Sequence, residues 1–290
     1  MSQYRLVKGI KEQEELRQSF NQLAEDTFEI NFVEWYESGY WGKNYIPYSL
    51  VDGKKIIANA SITKSKMMIN NQSYETIQIG TVMTAENYRS KGLSKELITD
   101  IINDYKEKVD FIYLFANETV LDFYPKFGFK RIDELSIELK TESIEKKDGL
   151  EVVNFKEHQE KIEKMANNRN NSYLNSYLED GYNLTMFYYG SVFKEGISYI
   201  KELDTYLCYE IENKECHLFD VLSDKEISMK EVLNYLFLEK NSRVYCHFDV
   251  KEESIVKIKE TVPVDDDALF VLGVEEELFK SFKLPLFNHA

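Results

Sequence analysis

Thr76-Ile77-Gln78-Ile79-Gly80-Thr81-Val82-Met83-Thr84 and, a few residues on, Arg89-Ser90-Lys91-Gly92-Leu93-Ser94 decide how this chain is read. The first segment alternates apolar with polar or small residues, the period of a strand. After the second, Leu93, Leu97, Ile98, Ile101, Ile102 and Tyr105 recur on one helical face. The hexapeptide therefore stands where a strand hands over to a helix. Ser90 to Leu93 can offer consecutive backbone N–H groups there. Gly92 permits close approach of a ligand, the helix start adds a positive field, and Arg89 and Lys91 add full charges. Together these make a pyrophosphate cradle. The Gly-x-x-x-x-Gly-Lys-Ser/Thr spacing of nucleotide triphosphatases is absent, and so are the three glycines of a dinucleotide fingerprint.

The sequel narrows the reading. Asp110 to Ala116 reads as a buried strand, Asn117 follows, Tyr124 comes seven residues later, and Gly128-Phe129 stands close behind. Strand, Arg-x-x-Gly-x-small loop, helix, strand, Asn, then Tyr-x-x-x-Gly-Phe resembles the GCN5-related N-acetyltransferase (GNAT) superfamily. The likeness runs from Arg5 to about Glu138, and its motifs lie between Thr76 and Arg131. It implies acetyl-coenzyme A as cosubstrate. Val82, Met83 and Thr84 would meet its acetyl and pantetheine parts, where a backbone N–H polarises the thioester carbonyl. Arg89, Ser90, Lys91, Gly92, Leu93 and Ser94 would take the pyrophosphate, and Asn117 the pantetheine arm or the reacting groups. Tyr124 would be the general acid for the departing thiolate, since a phenol of pKa about 10 is a reasonable proton donor to it.

The chain departs from the family at the base. Members that use a glutamate place it eleven residues ahead of the Arg that opens the hexapeptide, and Gln78 stands there. The amine must then arrive neutral or lose its proton through water to Glu75, Glu29, Glu34 or Glu37. Some two-domain relatives use a terminal carboxylate instead, which here falls at Ala290. The apolar order Pro285-Leu286-Phe287-Asn288-His289-Ala290 suggests a tail that docks.

With 290 residues, two domains are the expectation. Residues 1–140 read as the GNAT domain, 141–150 as a charged linker, and 151–290 as a second, degenerate GNAT-like domain. The fold class is α/β with mixed sheets. In the first part, strands at Tyr45–Val51, Lys55–Met68 and Tyr74–Thr84 are separated by turns at Asp52-Gly53 and Asn70-Asn71-Gln72, with Phe129–Leu139 returning as a strand. In the second, Asn154–Leu178 is helical in pattern. Leu184–Phe193, Gly196–Leu203, Thr205–Ile211 and Glu215–Leu222 read as strands, Lys230–Leu238 as a helix, and Arg243–Asp249 and Leu269–Leu272 as strands. Its strand-to-helix corner, Leu222-Ser223-Asp224-Lys225-Glu226-Ile227-Ser228, has no glycine and two acids, so it would repel a pyrophosphate.

The net charge of −15 speaks against a nucleic-acid partner. Residues 1–150 hold 20 Lys and Arg against 24 Asp and Glu, and the remainder holds 16 against 27, so the cradle half keeps its cations. The acidic excess fits either a cationic acceptor or a solvated surface. No apolar run is long enough for a membrane span and no signal-peptide plan opens the chain, so a cytoplasmic monomer or homodimer is expected. Three scattered cysteines, Cys208, Cys216 and Cys246, suggest neither a disulfide framework nor a metal site. The segment Ile30–Trp41 mixes aromatics with acids. Glu29, Glu34, Trp35 and Glu37 are therefore candidates to receive an ammonium group through ionic and cation–π contacts. The reading is an N-acetyltransferase acting on the primary amine of a small molecule by direct attack in a ternary complex. A non-catalytic acyl-coenzyme A sensor and a protein-directed acetyltransferase are the alternatives.

Overall fold

The computed structural model describes residues 4–142, 144–236, 238–239, 242–263 and 267–290. Ser143 of the expected linker and Phe237 of the expected helix fall outside them. The first half runs β1 (Arg5–Lys8), α1 (Glu14–Phe28), α2 (Val33–Glu37), β2 (Tyr45–Asp52), β3 (Lys55–Ile69), β4 (Gln72–Thr84), α3 (Leu93–Tyr105), β5 (Phe111–Ala116), β6 (Lys130–Ile132) and β7 (Leu135–Leu139). The second runs β8 (Leu150–Val153), α4 (Phe155–Asn167), β9 (Ser176–Leu178), α5 (Tyr182–Phe187), β10 (Ile197–Ile200), β11 (Thr205–Glu212), β12 (Glu215–Leu222), α6 (Met229–Leu233), β13 (Arg243–Cys246), β14 (Val256–Thr261) and β15 (Ala268–Leu272).

Local chemistry sets the hairpins. Asn70 and Asn71 both take positive φ, at 50° and 67°, which closes β3 on β4 in a tight turn whose twist matches the strands. Asn213 and Lys214 do the same between β11 and β12. Beneath the first sheet, α3 buries Leu93, Leu97, Ile98 and Ile101, the face its periodicity announces. Over the other face α1 buries Leu16, Phe20, Leu23 and Ala24.

The strands form two mixed sheets, ordered β1-β2-β3-β4-β5-β15-β6 and β14-β7-β13-β12-β11-β10-β8, with β9 pairing the far end of β3. In each, antiparallel strands lead to one parallel pair, β4 with β5 and β12 with β13, and an antiparallel strand follows. The second sheet thus repeats the first, as the element order suggests. What the sequence does not announce is an exchange. The expected single strand Phe129–Leu139 breaks into β6, in the first sheet, and β7, which pairs β13 in the second. The strand expected near Leu269 lies in the first sheet, antiparallel to β5.

Three other expectations change. Leu184–Phe193 is a short helix continued by a π-helical turn at Tyr188–Val192 rather than a strand. The helix expected over Asn154–Leu178 ends at Asn167, and its last residues form β9. The helix expected from Lys230 is the single turn of α6. In the first two the apolar residues serve a tertiary contact between the sheets, which local periodicity does not encode.

The second sheet has a wedge like the first, but side chains plug it. Parallel pairing stops at Leu218, β12 slips register past Tyr209, and the carbonyl of Val221 accepts from Tyr173 Oη at 2.5 Å and Arg169 Nη2 at 3.1 Å. Arg169 also bridges the fully buried Asp220, which accepts from Tyr189 Oη at 3.1 Å. Arg169→Ala strips that carboxylate of its cation, and urea denaturation should register a loss of roughly 3–5 kcal/mol.

Candidate active site

Between β4 and β5 the pairing ends at Ile79 with Leu114, although both strands continue. Beyond that point β4 bulges. Asn59 opposes Met83 and Ser61 opposes Gly80, so β4 carries an extra residue, and Thr81 takes φ 48°. A β-branched residue in that region is strained by about 1–3 kcal/mol. A buried polar cluster holds it there. Asn59 Nδ2 donates to the Thr81 carbonyl at 3.0 Å, Ser49 Oγ donates to Asn59 Oδ1 at 2.8 Å, and the Tyr45 and Thr81 hydroxyls bond at 2.8 Å. The bulge turns β4 away from β5 and opens a cleft between them.

At the end of β4 the cradle residues come together. Thr84 Oγ1 meets Ser94 Oγ at 2.9 Å, which ties the strand end to the start of α3. Ser90 and Gly92 take φ 61° and 78°, and nothing lies within 4 Å of where a Gly92 side chain would begin. Ser90, Lys91 and Gly92 are exposed, and the first-turn N–H groups of α3 have no intrahelical partner by geometry. Arg89 Nε donates to the Thr84 carbonyl at 3.2 Å, and Lys91 Nζ sits 4.6 Å from the Tyr88 ring centre. Open space, free donors and two cations suit a diphosphate. Val82 lines the cleft, Met83 points into the core, and Leu93 anchors the helix from below.

The cleft widens into a cavity of about 440 Å³. Tyr124 lines it from a short turn after β5, its ring packed on Phe129 and on Phe270 of β15. Desolvation pushes its phenol up to about 12, so the proton stays on through the ordinary pH range. Asn117 also lines the cavity, with its side-chain oxygen spent on the Thr119 N–H at 3.0 Å and its amide left available. The acceptor candidates separate. Trp35 lines this cavity and donates its indole N–H to the Asn183 carbonyl at 2.9 Å. Glu34 and Glu37 line a second cavity of about 340 Å³ instead, and Glu29 caps α1 on the surface at φ 58°. Glu75 pairs with Lys66 at 3.3 Å near the start of β4.

Sequence reasoning passed over Gly80, Thr81, Tyr45, Phe115, Leu184, Phe187, Tyr188 and His289, all of which line the cavity. The available signal was Gly80, since a glycine inside a strand marks a bulge or a close approach. Both apply here. A side chain at Gly80 would start 2.2 Å from the backbone oxygen of Ala290, which also accepts from Gln78 Nε2 at 3.4 Å. The tail is clamped. Phe287 stacks between Tyr188 and Phe193, Asn288 Oδ1 accepts from the Leu178 N–H at 3.1 Å, and His289 stacks on Phe115 at 3.6 Å. His289 Nδ1 meets Asp267 at 2.8 Å. Burial alone pushes the Asp267 carboxyl up, and His289 outweighs this and holds it below its ordinary value.

A family model described as an acetyltransferase (GNAT) domain matches residues 11–132, the span that builds this cleft. This part of the chain is similar to GNAT acetyltransferase domains. The fold likeness extends over both sheets. A probable N-acyltransferase from Enterococcus faecalis is 15% identical with TM-score 0.62, covering 96% of this chain and 74% of its own. GCN5-related N-acetyltransferases from Anabaena variabilis and Kribbella flavida are 16% and 12% identical with TM-scores 0.55 and 0.53. Each covers 92% of this chain, with 72% and 71% of their own. A search of curated proteins by sequence finds no match. Among the described residues, no group of three or more His, Cys, Asp or Glu is placed to hold a metal, and no helix is long and apolar enough to cross a membrane.

Gly92→Val introduces strain at φ 78° and fills the approach to the N–H groups. Calorimetric titration should show acetyl-coenzyme A binding weakened at least tenfold. Gly80→Ala should dislodge the tail, which limited proteolysis would read as new cleavage after residue 280.

Proposed function

We propose that the protein transfers an acetyl group from acetyl-coenzyme A to the primary amine of a small molecule by direct attack. The observation that carries this reading is that Tyr124 lines the same cavity as Thr81 and Val82 of the β4 bulge and as Ser94 at the start of α3. The N–H groups of the bulge, freed from the sheet, would polarise the thioester carbonyl. Tyr124 would give its proton to the thiolate as the carbon–sulfur bond breaks and the carbon–nitrogen bond forms. Gln78 has no proton-accepting group of use, so the amine proton needs another acceptor. The amine would then arrive neutral or give its proton up through water. The buried cysteines play no part. Desolvation raises all three thiols, against nucleophilic use.

Tyr124→Phe should lower kcat by 10²- to 10⁴-fold while leaving acetyl-coenzyme A affinity within about threefold. Unchanged kcat would remove Tyr124 from the chemistry. A general acid acts while protonated, and burial holds this one to about 12, so its ionisation should produce no alkaline fall in kcat below about pH 11.

A further inference from the structure

We infer that the acceptor is a hydrophobic amine, an aryl- or alkylamine with a single cationic nitrogen. This deepens the proposed transfer and rests on it. The acidity of the chain and the mixed aromatic and acidic segment around α2 point toward a cationic partner, but the structure sorts the two kinds of residue apart. Among the described residues that line the cavity there is no Asp, Glu, Lys or Arg side chain. Glu34 and Glu37 lie in the neighbouring cavity beyond Trp35, and Glu29 lies on the surface.

The acceptor side of the cavity is walled by aromatic rings, notably Phe32, Trp35, Tyr45, Phe115, Phe187 and Tyr188. Their polar atoms are already committed. The Trp35 N–H is bonded to Asn183, the Tyr45 hydroxyl to Thr81, and the Tyr188 hydroxyl to the His289 carbonyl at 3.3 Å. What they offer a ligand is ring surface. Polar groups able to meet a ligand gather elsewhere, at Tyr124, the β4 bulge, Asn117 and the backbone oxygen of Ala290. His289 belongs with them, since its buried Nε2 has no protein partner among the described residues.

A ligand matching this arrangement has one polar end and an apolar body. At the mouth Phe28 and Ile30 line the cavity while remaining 38% and 36% exposed, so the apolar surface continues outward rather than closing with charge. An arylalkylamine buries its ring there and leaves its nitrogen at the reacting end, where the surrounding rings also favour a cation. A polyamine or an aminosugar would bring further ammonium or hydroxyl groups against walls that cannot pair them, which is costly when desolvated.

The test measures thiol release from acetyl-coenzyme A by the full chain. The amines are 2-phenylethylamine, tryptamine, hexylamine, ethylamine, spermidine and kanamycin. The expected result is a kcat/KM for the first three about 100-fold above that of ethylamine, the advantage of burying a ring or chain of that size. Spermidine and kanamycin should fall at or below ethylamine. Replacing the exposed lip by Phe28→Glu with Ile30→Glu should lower 2-phenylethylamine about tenfold and raise spermidine. Spermidine or kanamycin as the best substrate would overturn the inference and leave acetyl transfer standing. Calorimetric binding of acetyl-coenzyme A with no thiol release from any amine would remove the transfer itself, and the inference with it.

Discussion

The antiparallel ladder between β5 and β15 is the contact on which the rest of the molecule depends. Ala268–Leu272 pairs with Ile112–Ala116 on one side and carries β6 on the other, so the first sheet is completed by a strand from the end of the second half. Phe270 on that strand packs against Tyr124. The chain leaving it returns through Phe279, Phe282 and Leu284, all buried, to lay Ala290 against Gly80. One backbone pairing therefore supports the proposed acid and aims the tail at the same cavity. The reciprocal placement of β7 in the second sheet locks the arrangement from the other direction.

The two wedges show how one architecture is kept open or shut. In both sheets a short parallel pair is followed by a slip of register in the strand that leads into it. In the first, the displaced backbone is supported from behind by Asn59, Ser49 and Tyr45, which leaves its front free. Hydrogen bonds of about 1 kcal/mol each are enough to offset the strain at Thr81. In the second, Tyr173 and Arg169 bond the exposed carbonyl directly, and the Arg169–Asp220 pair fills the space. Glycine at 92 against the acidic corner at Asp224 and Glu226 expresses the same contrast in sequence.

The cradle was legible because its signals are local. Strand period, loop and helix period meet within about twenty residues, and each obeys its own spacing. The repeated order of the second half was legible for the same reason, and so was the docking of the apolar tail at Phe287. The exchange of β7 and β15 was not, because an apolar strand carries no mark of which sheet it will join. The aromatic wall of the cavity was half visible. Trp35 was read from its aromatic neighbourhood, but the period of a short helix could not tell that Glu34 and Glu37 face a different cavity. Tyr188 and Phe187 were misread as strand because their packing partners, Phe287 for the one and Phe32 and Trp35 for the other, lie far away in sequence.

The strand that lies between β5 and the edge strand β6 comes about 150 residues downstream of β5, a separation that sets how the molecule can be made. A nascent chain that has already exposed β1 to β6 still holds β5 as an open, apolar edge. It must keep that edge from pairing with other chains until the second half has been synthesised. The first half thus cannot profit from folding first, and the growing polypeptide is a natural client for chaperones.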